Sequence, residues 1–170
     1  VMKSERESTR VITQLQEKNT VLLVLDMQER LLSTIQSKDY LIWNIVRIVK
    51  ACGILGIDIF CTEQVPEKLG QTIDQLKKDQ NIKEFVSKTE FSAFNELKIK
   101  KMLIRNKIEN IILCGVETHI CIQQTALDFL VSGHNIFIPI DATSSRFDLD
   151  KKTSIKRMIQ VGVPISSVEA

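Results

Sequence analysis

Strands alternating with helices along the chain predict an α/β protein: a parallel sheet covered by helices on both faces, in three layers. Two observations carry that expectation. Short apolar runs rich in β-branched residues recur, with stretches of helical length and mixed polarity between them. Glycines also punctuate the helix ends, as Gly53 and Gly56, Gly133, and Gly162 followed by Pro164.

In chain order, Val1 to Lys18 is polar and mixed in charge, and residues 1–19 are expected to form an N-terminal arm ahead of a single domain over 20–170. That arm lacks the apolar central region of a secretory signal. The run Val21–Leu25 reads as a buried strand that stops at Asp26. A helix over about Tyr40–Leu55 and a strand at Asp58–Thr62 follow, then a loop with a short helix near Thr72–Lys77. Next come a strand at Glu84–Ser87, a helix over about Asn95–Arg105 and a strand at Asn110–Cys114 closed by Gly115. The stretch Thr118–Ser132 reads as a mostly buried helix with Thr118 as its cap. A strand at His134–Ile138, a helix over about Lys151–Val161 and a last strand near Ser166–Glu169 complete the series. No internal repeat, low-complexity stretch or second domain is visible.

At 170 residues one sizeable core is expected. A net charge of +2 with 26% charged residues carries no nucleic-acid or membrane signature. Lysines cluster at Lys98, Lys100, Lys101 and Lys107 and again at Lys151, Lys152 and Lys156. Their helical spacing among apolar residues reads as a solvated helix face, with a basic RNA-binding groove as the minor alternative. No apolar run is long enough to span a membrane. Four cysteines, Cys52, Cys61, Cys114 and Cys121, in no tight pattern suit reduced thiols and a cytoplasmic location.

The chemistry is concentrated in three segments. In Gly115-Val116-Glu117-Thr118-His119-Ile120-Cys121 a thiol falls in the first turn of a helix just past a strand. Unpaired N–H groups and partial positive charge there stabilise a thiolate and can bind an oxyanion. The competing reading is a small core cysteine. Asp26 ends a buried strand, and in parallel α/β sheets the carboxyl ends of strands face the ligand crevice. The competing reading is a cap or turn residue. In Glu84-Phe85-Val86-Ser87-Lys88-Thr89-Glu90-Phe91-Ser92 a short strand ends in a lysine, which taken alone is a solvated lysine after an edge strand.

Taken together, the ordered pieces D-M-Q (Asp26–Gln28), K-T-x-F-S (Lys88–Ser92) and G-V-E-T-H-x-C (Gly115–Cys121) resemble the isochorismatase-like cysteine hydrolases. Gln123-Gln124-Thr125-Ala126-Leu127-Asp128 and Asp141-Ala142-Thr143-Ser144-Ser145-Arg146 match as well. The resemblance runs from about Thr20 to the C-terminus and is nearest the small isochorismatase-domain hydrolases. It implies a doubly wound sheet of strand order 3-2-1-4-5-6 and an Asp26–Lys88–Cys121 triad. It also implies a cis peptide at Val116–Glu117 and backbone N–H groups of Glu117 and Cys121 converging on an oxyanion. The activity implied is hydrolysis of a small amide-like C–N bond through a Cys121 thioester. Two alternatives stand beside it: hydrolysis of a vinyl ether or other non-amide molecule, and a non-catalytic oligomeric scaffold. The expected partners are a small-molecule substrate and further copies of the chain, as a homodimer or larger closed oligomer, with no nucleic acid or membrane partner.

Some positions depart from relatives or carry weaker signals. Nicotinamidases of this superfamily have a D-x-H-x-H-like metal cluster after the second strand. The corresponding Asp58-Ile59-Phe60-Cys61-Thr62-Glu63-Gln64 has no histidine, and the chain holds two in all. No metal site and no cofactor are expected from that donor set. True isochorismatases need a vinyl-ether pocket and some lack the cysteine, so Cys121 favours acyl chemistry. His119 is close to Cys121 in sequence, but side chains two apart on a turn seldom face each other. His134 reads as a surface or turn residue. Asp141 could order the loop carrying Thr143, Ser144 and Arg146. Gln28, Phe91, Thr118 and Arg146 are the candidate substrate-loop residues, Arg146 as a carboxylate ligand or as one half of a structural salt bridge.

Overall fold

The computed structural model describes residues 15–170, so most of the expected N-terminal arm lies outside the described residues. Seven strands form the sheet: β1 (Thr20–Leu25), β2 (Asp58–Gln64), β3 (Ile82–Lys88), β4 (Asn110–Val116), β5 (Asn135–Pro139), β6 (Thr143–Ser144) and β7 (Ile165–Ser166). Their order is β3-β2-β1-β4-β5-β7, every paired strand is parallel, and the two-residue β6 pairs the upper end of β4. This is the expected 3-2-1-4-5-6 order. The expected sixth strand becomes the seventh in chain order because β6 intervenes.

The central strand shows why the sheet is sandwiched. Val21, Leu23 and Leu25 point into one core and Leu22 and Val24 into the other, because successive side chains of a strand alternate between faces. The helices are α1 (Glu29–Leu32), α2 (Lys38–Ile54), α3 (Pro66–Leu69), α4 (Asp74–Lys77), α5 (Leu97–Arg105), α6 (Gln123–Val131) and α7 (Asp148–Gln160). Leu41, Ile45, Val49 and Cys52 of α2 cover Leu22 and Val24. Met102 and Leu103 of α5, Ala126 and Phe129 of α6 and Met158 of α7 cover the other face. Both faces of the sheet are therefore dry, which is why its central strands read as continuous apolar runs.

The differences from the expected elements are local. Strands β2, β3 and β4 run two, one and two residues further than expected at their carboxyl ends, into Gln64, Lys88 and Val116. Backbone pairing with neighbours continues there, although the side chains turn polar in β2 and β3 and β4 passes through a glycine. The short helices α1 and α3 were not expected, and α7 starts three residues earlier, at Asp148. Gly53 lies within α2 rather than at its end, whereas Gly56, Gly133 and Gly162 have positive φ just past helices. Gly115 is required by packing: its φ is +114°, and a Cβ there would lie 2.1 Å from the carbonyl oxygen of Leu25.

Candidate active site

The carboxyl ends of β1, β2, β3 and β4 meet where three polar side chains are withheld from solvent. Asp26 follows β1 with φ of +57°, a left-handed conformation that aspartate tolerates better than most residues and that ends the extended run. Its N–H donates to the Thr62 carbonyl at 3.1 Å, continuing the β1–β2 ladder by one bond. The carboxylate is fully buried. Thr62 Oγ1 donates to Oδ1 at 2.7 Å, and Lys88 Nζ stands 2.8 Å from Oδ2.

Lys88 is the last residue of β3 and is 2% exposed, so the reading of it as a solvated lysine is overturned. Its ammonium is surrounded by acceptors. Gln64 Oε1 accepts from it, as do the carbonyls of Glu90 at 3.2 Å and Phe91 at 3.0 Å, and Cys121 Sγ lies at 3.5 Å. With Asp26 Oδ2 that makes five acceptors around a group with three protons. Asp26 Oδ2 is an ion contact of Nζ yet accepts no well-directed hydrogen bond, which leaves it free to take one from another donor.

Cys121 is 6% exposed and sits in a single π turn, Thr118–Ile122, that leads into α6. Two expectations about this turn are corrected. Thr118 makes no capping bond: it is fully buried and its hydroxyl pairs with that of Thr143 at 2.8 Å. The thiol is also not a resting thiolate. Burial above all, and then the charge of Asp26, push it up to about 12 against the opposing pull of Lys88. Desolvation outweighs the ammonium because the neutral thiol needs no water and the thiolate does. The other three cysteines are free and buried and are likewise raised by burial.

Cys121 borders a cavity of about 370 Å³. Leu31, Leu69, Phe91 and Ile120 make its apolar walls, and Gln64 and Thr34 add polar atoms. Arg30, Arg146 and Glu117 supply its charge. The Val116–Glu117 peptide at its floor is cis. The backbone N–H and Nε of Arg146 both bond Glu117 Oε2, at 2.9 and 3.1 Å, so Arg146 forms the salt bridge while also lining the cavity.

Phe91, Glu117, Cys121 and Arg146 are thus brought together, and Gln28 and Thr118 are not among the lining residues. Gln28 is fully buried: its Nε2 donates to the carbonyls of Gln64 and Gly70, and its Oε1 accepts from Gln64 N–H at 2.8 Å. It is a clamp between strand ends rather than a substrate-loop residue. His119 turns from Cys121 to Ser145 Oγ, 2.9 Å away, and to Asp150. His134 bonds the Ser132 hydroxyl and packs edge-on to Phe129. Asp141 accepts from the N–H of Val168 and so ties down the C-terminal segment rather than the loop that follows it. Thr62, Gln64 and Arg30 were missed. The polar run Thr62-Glu63-Gln64 at the end of an apolar strand was the available signal for the first two. Among the described residues no three His, Cys, Asp or Glu group as metal ligands, and no helix is long and apolar enough to cross a membrane.

A three-layer α/β fold with a buried carboxylate, ammonium and thiol at the strand carboxyl ends defines a class, and comparison with known proteins narrows it. The isochorismatase domain family matches residues 20–170. The zebrafish (Danio rerio) isochorismatase domain-containing protein 2 is 36% identical over 158 residues, covering 93% of this chain and 79% of its own length. Isochorismatase domain-containing protein 2A of Mus musculus is 35% identical over 152 residues, covering 89% of this chain and 72% of that protein. Among solved structures, the MAR1 ribonuclease of Caenorhabditis elegans superposes with a TM-score of 0.86 at 34% identity, covering 93% and 81% of the two chains. The Escherichia coli YcaC structure, described as an octameric hydrolase of unknown specificity, shares the fold with a TM-score of 0.86 at 19% identity, covering 94% and 80%. The chain belongs to the isochorismatase family and is a hydrolase of that family.

Proposed function

We propose that the chain hydrolyses a small amide-like C–N bond through a thioester on Cys121. The observation that carries this reading is the buried ammonium of Lys88, 2.8 Å from Asp26 Oδ2 and 3.5 Å from Cys121 Sγ, beside a cavity of small-molecule size. Because the thiol rests protonated, attack is coupled to transfer of its proton to Asp26 Oδ2. Sulfur bonds to the carbonyl carbon, the C–N bond breaks, and Asp26 returns the proton to the leaving amine. Water then attacks the thioester, giving one proton to Asp26, and the acid leaves as the thiol is re-formed. Lys88 offsets the negative charge that moves between thiol, carboxylate and intermediate. The N–H groups of Glu117 and Cys121 are assigned to the oxyanion.

The test is turnover of an amide panel with product analysis. A covalent acyl adduct on Cys121, seen by mass spectrometry and absent in Cys121→Ala, is expected. Turnover of a vinyl ether but of no amide would replace the reading with that alternative. No turnover by a folded, oligomeric chain would leave the scaffold. A second reading, RNA cleavage, has the name of the similar worm protein on its side. RNA cleaved by wild type and by Cys121→Ala alike would favour it over thioester chemistry. Self-association into a closed oligomer belongs to the same proposal. It is supported by the exposed aromatic pair Tyr40 and Trp43 on α2 and by the octameric description of YcaC.

A further inference from the structure

The charges that line the Cys121 cavity do not cancel. Glu117 is matched by Arg146, which spends its Nε and backbone N–H on one carboxylate oxygen. Arg30, on the first turn of α1, gives Nη1 to the carbonyl of Lys68. Among the described residues no carboxylate stands within ion-pair distance of it. A guanidinium has five N–H donors in a planar fork, so one backbone acceptor fixes its position and leaves most of it to bond something else. Arg30 and Cys121 line the same cavity, whose apolar walls are Leu31, Leu69, Phe91 and Ile120. We propose that Arg30 binds the anionic end of the substrate, making the substrate a small amide with an apolar body and a carboxylate away from the scissile bond. This deepens the amide-hydrolase reading and rests on it.

Arrangement and charge both favour this class. Arg30 is exposed, so water solvates its fork in the free protein; a carboxylate replaces that water with a charge-assisted pair, whereas a neutral amide offers no counter-charge. A substrate bearing a cation would meet like charge from Arg30 as well as from Lys88.

The test uses the full chain and needs no known substrate. An N-iodoacetyl ω-amino acid and its terminal carboxamide both alkylate a thiol, forming S–C and expelling iodide, and differ only in a carboxylate against an amide several bonds from the reacting carbon. Peptide-resolved labelling of Cys121 gives the carboxylate-to-carboxamide rate ratio, referred to the same ratio at free cysteine. The expected ratio is about tenfold above the free-thiol value, the scale of one charge-assisted hydrogen bond. Arg30→Gln should return it to that value and Arg30→Lys should keep part of it. On wild type the excess should shrink as salt rises, which needs no variant to fold. A free-thiol ratio in wild type, or an excess lost in Arg146→Gln and kept in Arg30→Gln, overturns the assignment while leaving Cys121 as nucleophile. No labelling of Cys121 by either reagent overturns the nucleophile reading instead.

Discussion

Replacing Lys88 by methionine keeps an unbranched side chain as far as Cε and removes the charged nitrogen beyond it. Asp26 would then keep Thr62 Oγ1 on one oxygen and have nothing on the other, inside a site with no solvent access. Gln64 Oε1 and the carbonyls of Glu90 and Phe91 would lose the ammonium they share. Removing one member of a buried ion pair costs about 3–5 kcal/mol, since the survivor remains charged and desolvated. For a chain of this size that is a fall of roughly 6–20 °C in Tm. The thiol also responds: losing Lys88 removes the pull that opposes burial, so Cys121 becomes harder to ionise and slower to alkylate. Urea unfolding followed by circular dichroism measures the first effect and timed iodoacetamide labelling the second. The double variant Asp26→Asn, Lys88→Met should be more stable than the sum of its single changes, because it strands no charge. A Lys88→Met protein within about 1 kcal/mol of wild type would mean that the pair behaves as an exposed one and that its burial is misread.

Asp26→Asn keeps the shape and loses the proton acceptor, so turnover of any amide substrate should fall by about 10²–10⁴-fold; near-normal turnover, with loss in His119→Ala, would move the base to the histidine. Cys52 and Cys121 have folded values of about 11 and about 12 against an ordinary 9.0. A raised value means the folded state holds its proton longer than the unfolded one, so their contribution is intact below pH 9 and lost as pH climbs toward 12. The urea midpoint should therefore drop across that window, and a Cys52→Ala, Cys121→Ala protein should show a flatter decline. Gly115→Ala should abolish folding or cost more than about 4 kcal/mol, since the clash is with backbone. Gly56→Ala, with φ of +71° but open space around it, should cost only about 1 kcal/mol. Light scattering should give a mass of at least two chains at micromolar concentration; a strictly monomeric protein would refute self-association.

The fold was largely legible because its signals are local. Buried parallel strands are written as apolar runs, and helices appear between them. The strand ends were harder. Reading stopped at Thr62 because Glu63 and Gln64 are polar, yet Gln64 pairs in register with Lys88 across β2 and β3. That pairing is what brings the Gln64 amide to the ammonium, and no property of either segment alone announces it. Asp26 and Cys121 stood out because each follows a buried strand directly. Lys88 has no local mark of burial and was singled out only by the ordered motifs. The π turn escaped notice because it has the composition of a helical first turn, and its wider winding lies in hydrogen bonds rather than in residue types. The thiol was misjudged for a related reason: a helix start is visible in sequence, whereas the depth at which it lies is not.

Gly115 has a consequence for how faithfully the sheet assembles. It pairs with Leu25, and a side chain in its place would strike the Leu25 carbonyl. Each neighbouring position of β4 carries a side chain, Cys114 on one side and Val116 on the other. Sliding β1 by one step would therefore bring a Cβ toward the point of closest approach, and it would also turn the two apolar rows of β1 into the wrong cores. Glycine and core alternation work like two independent teeth of a key, admitting one alignment and rejecting its neighbours by different physics. The same alignment sets Asp26, the residue after Leu25, beside the carboxyl end of β4, from which the Cys121 turn departs. A chain that has folded at all has thereby already set its carboxylate in place, before any ligand arrives.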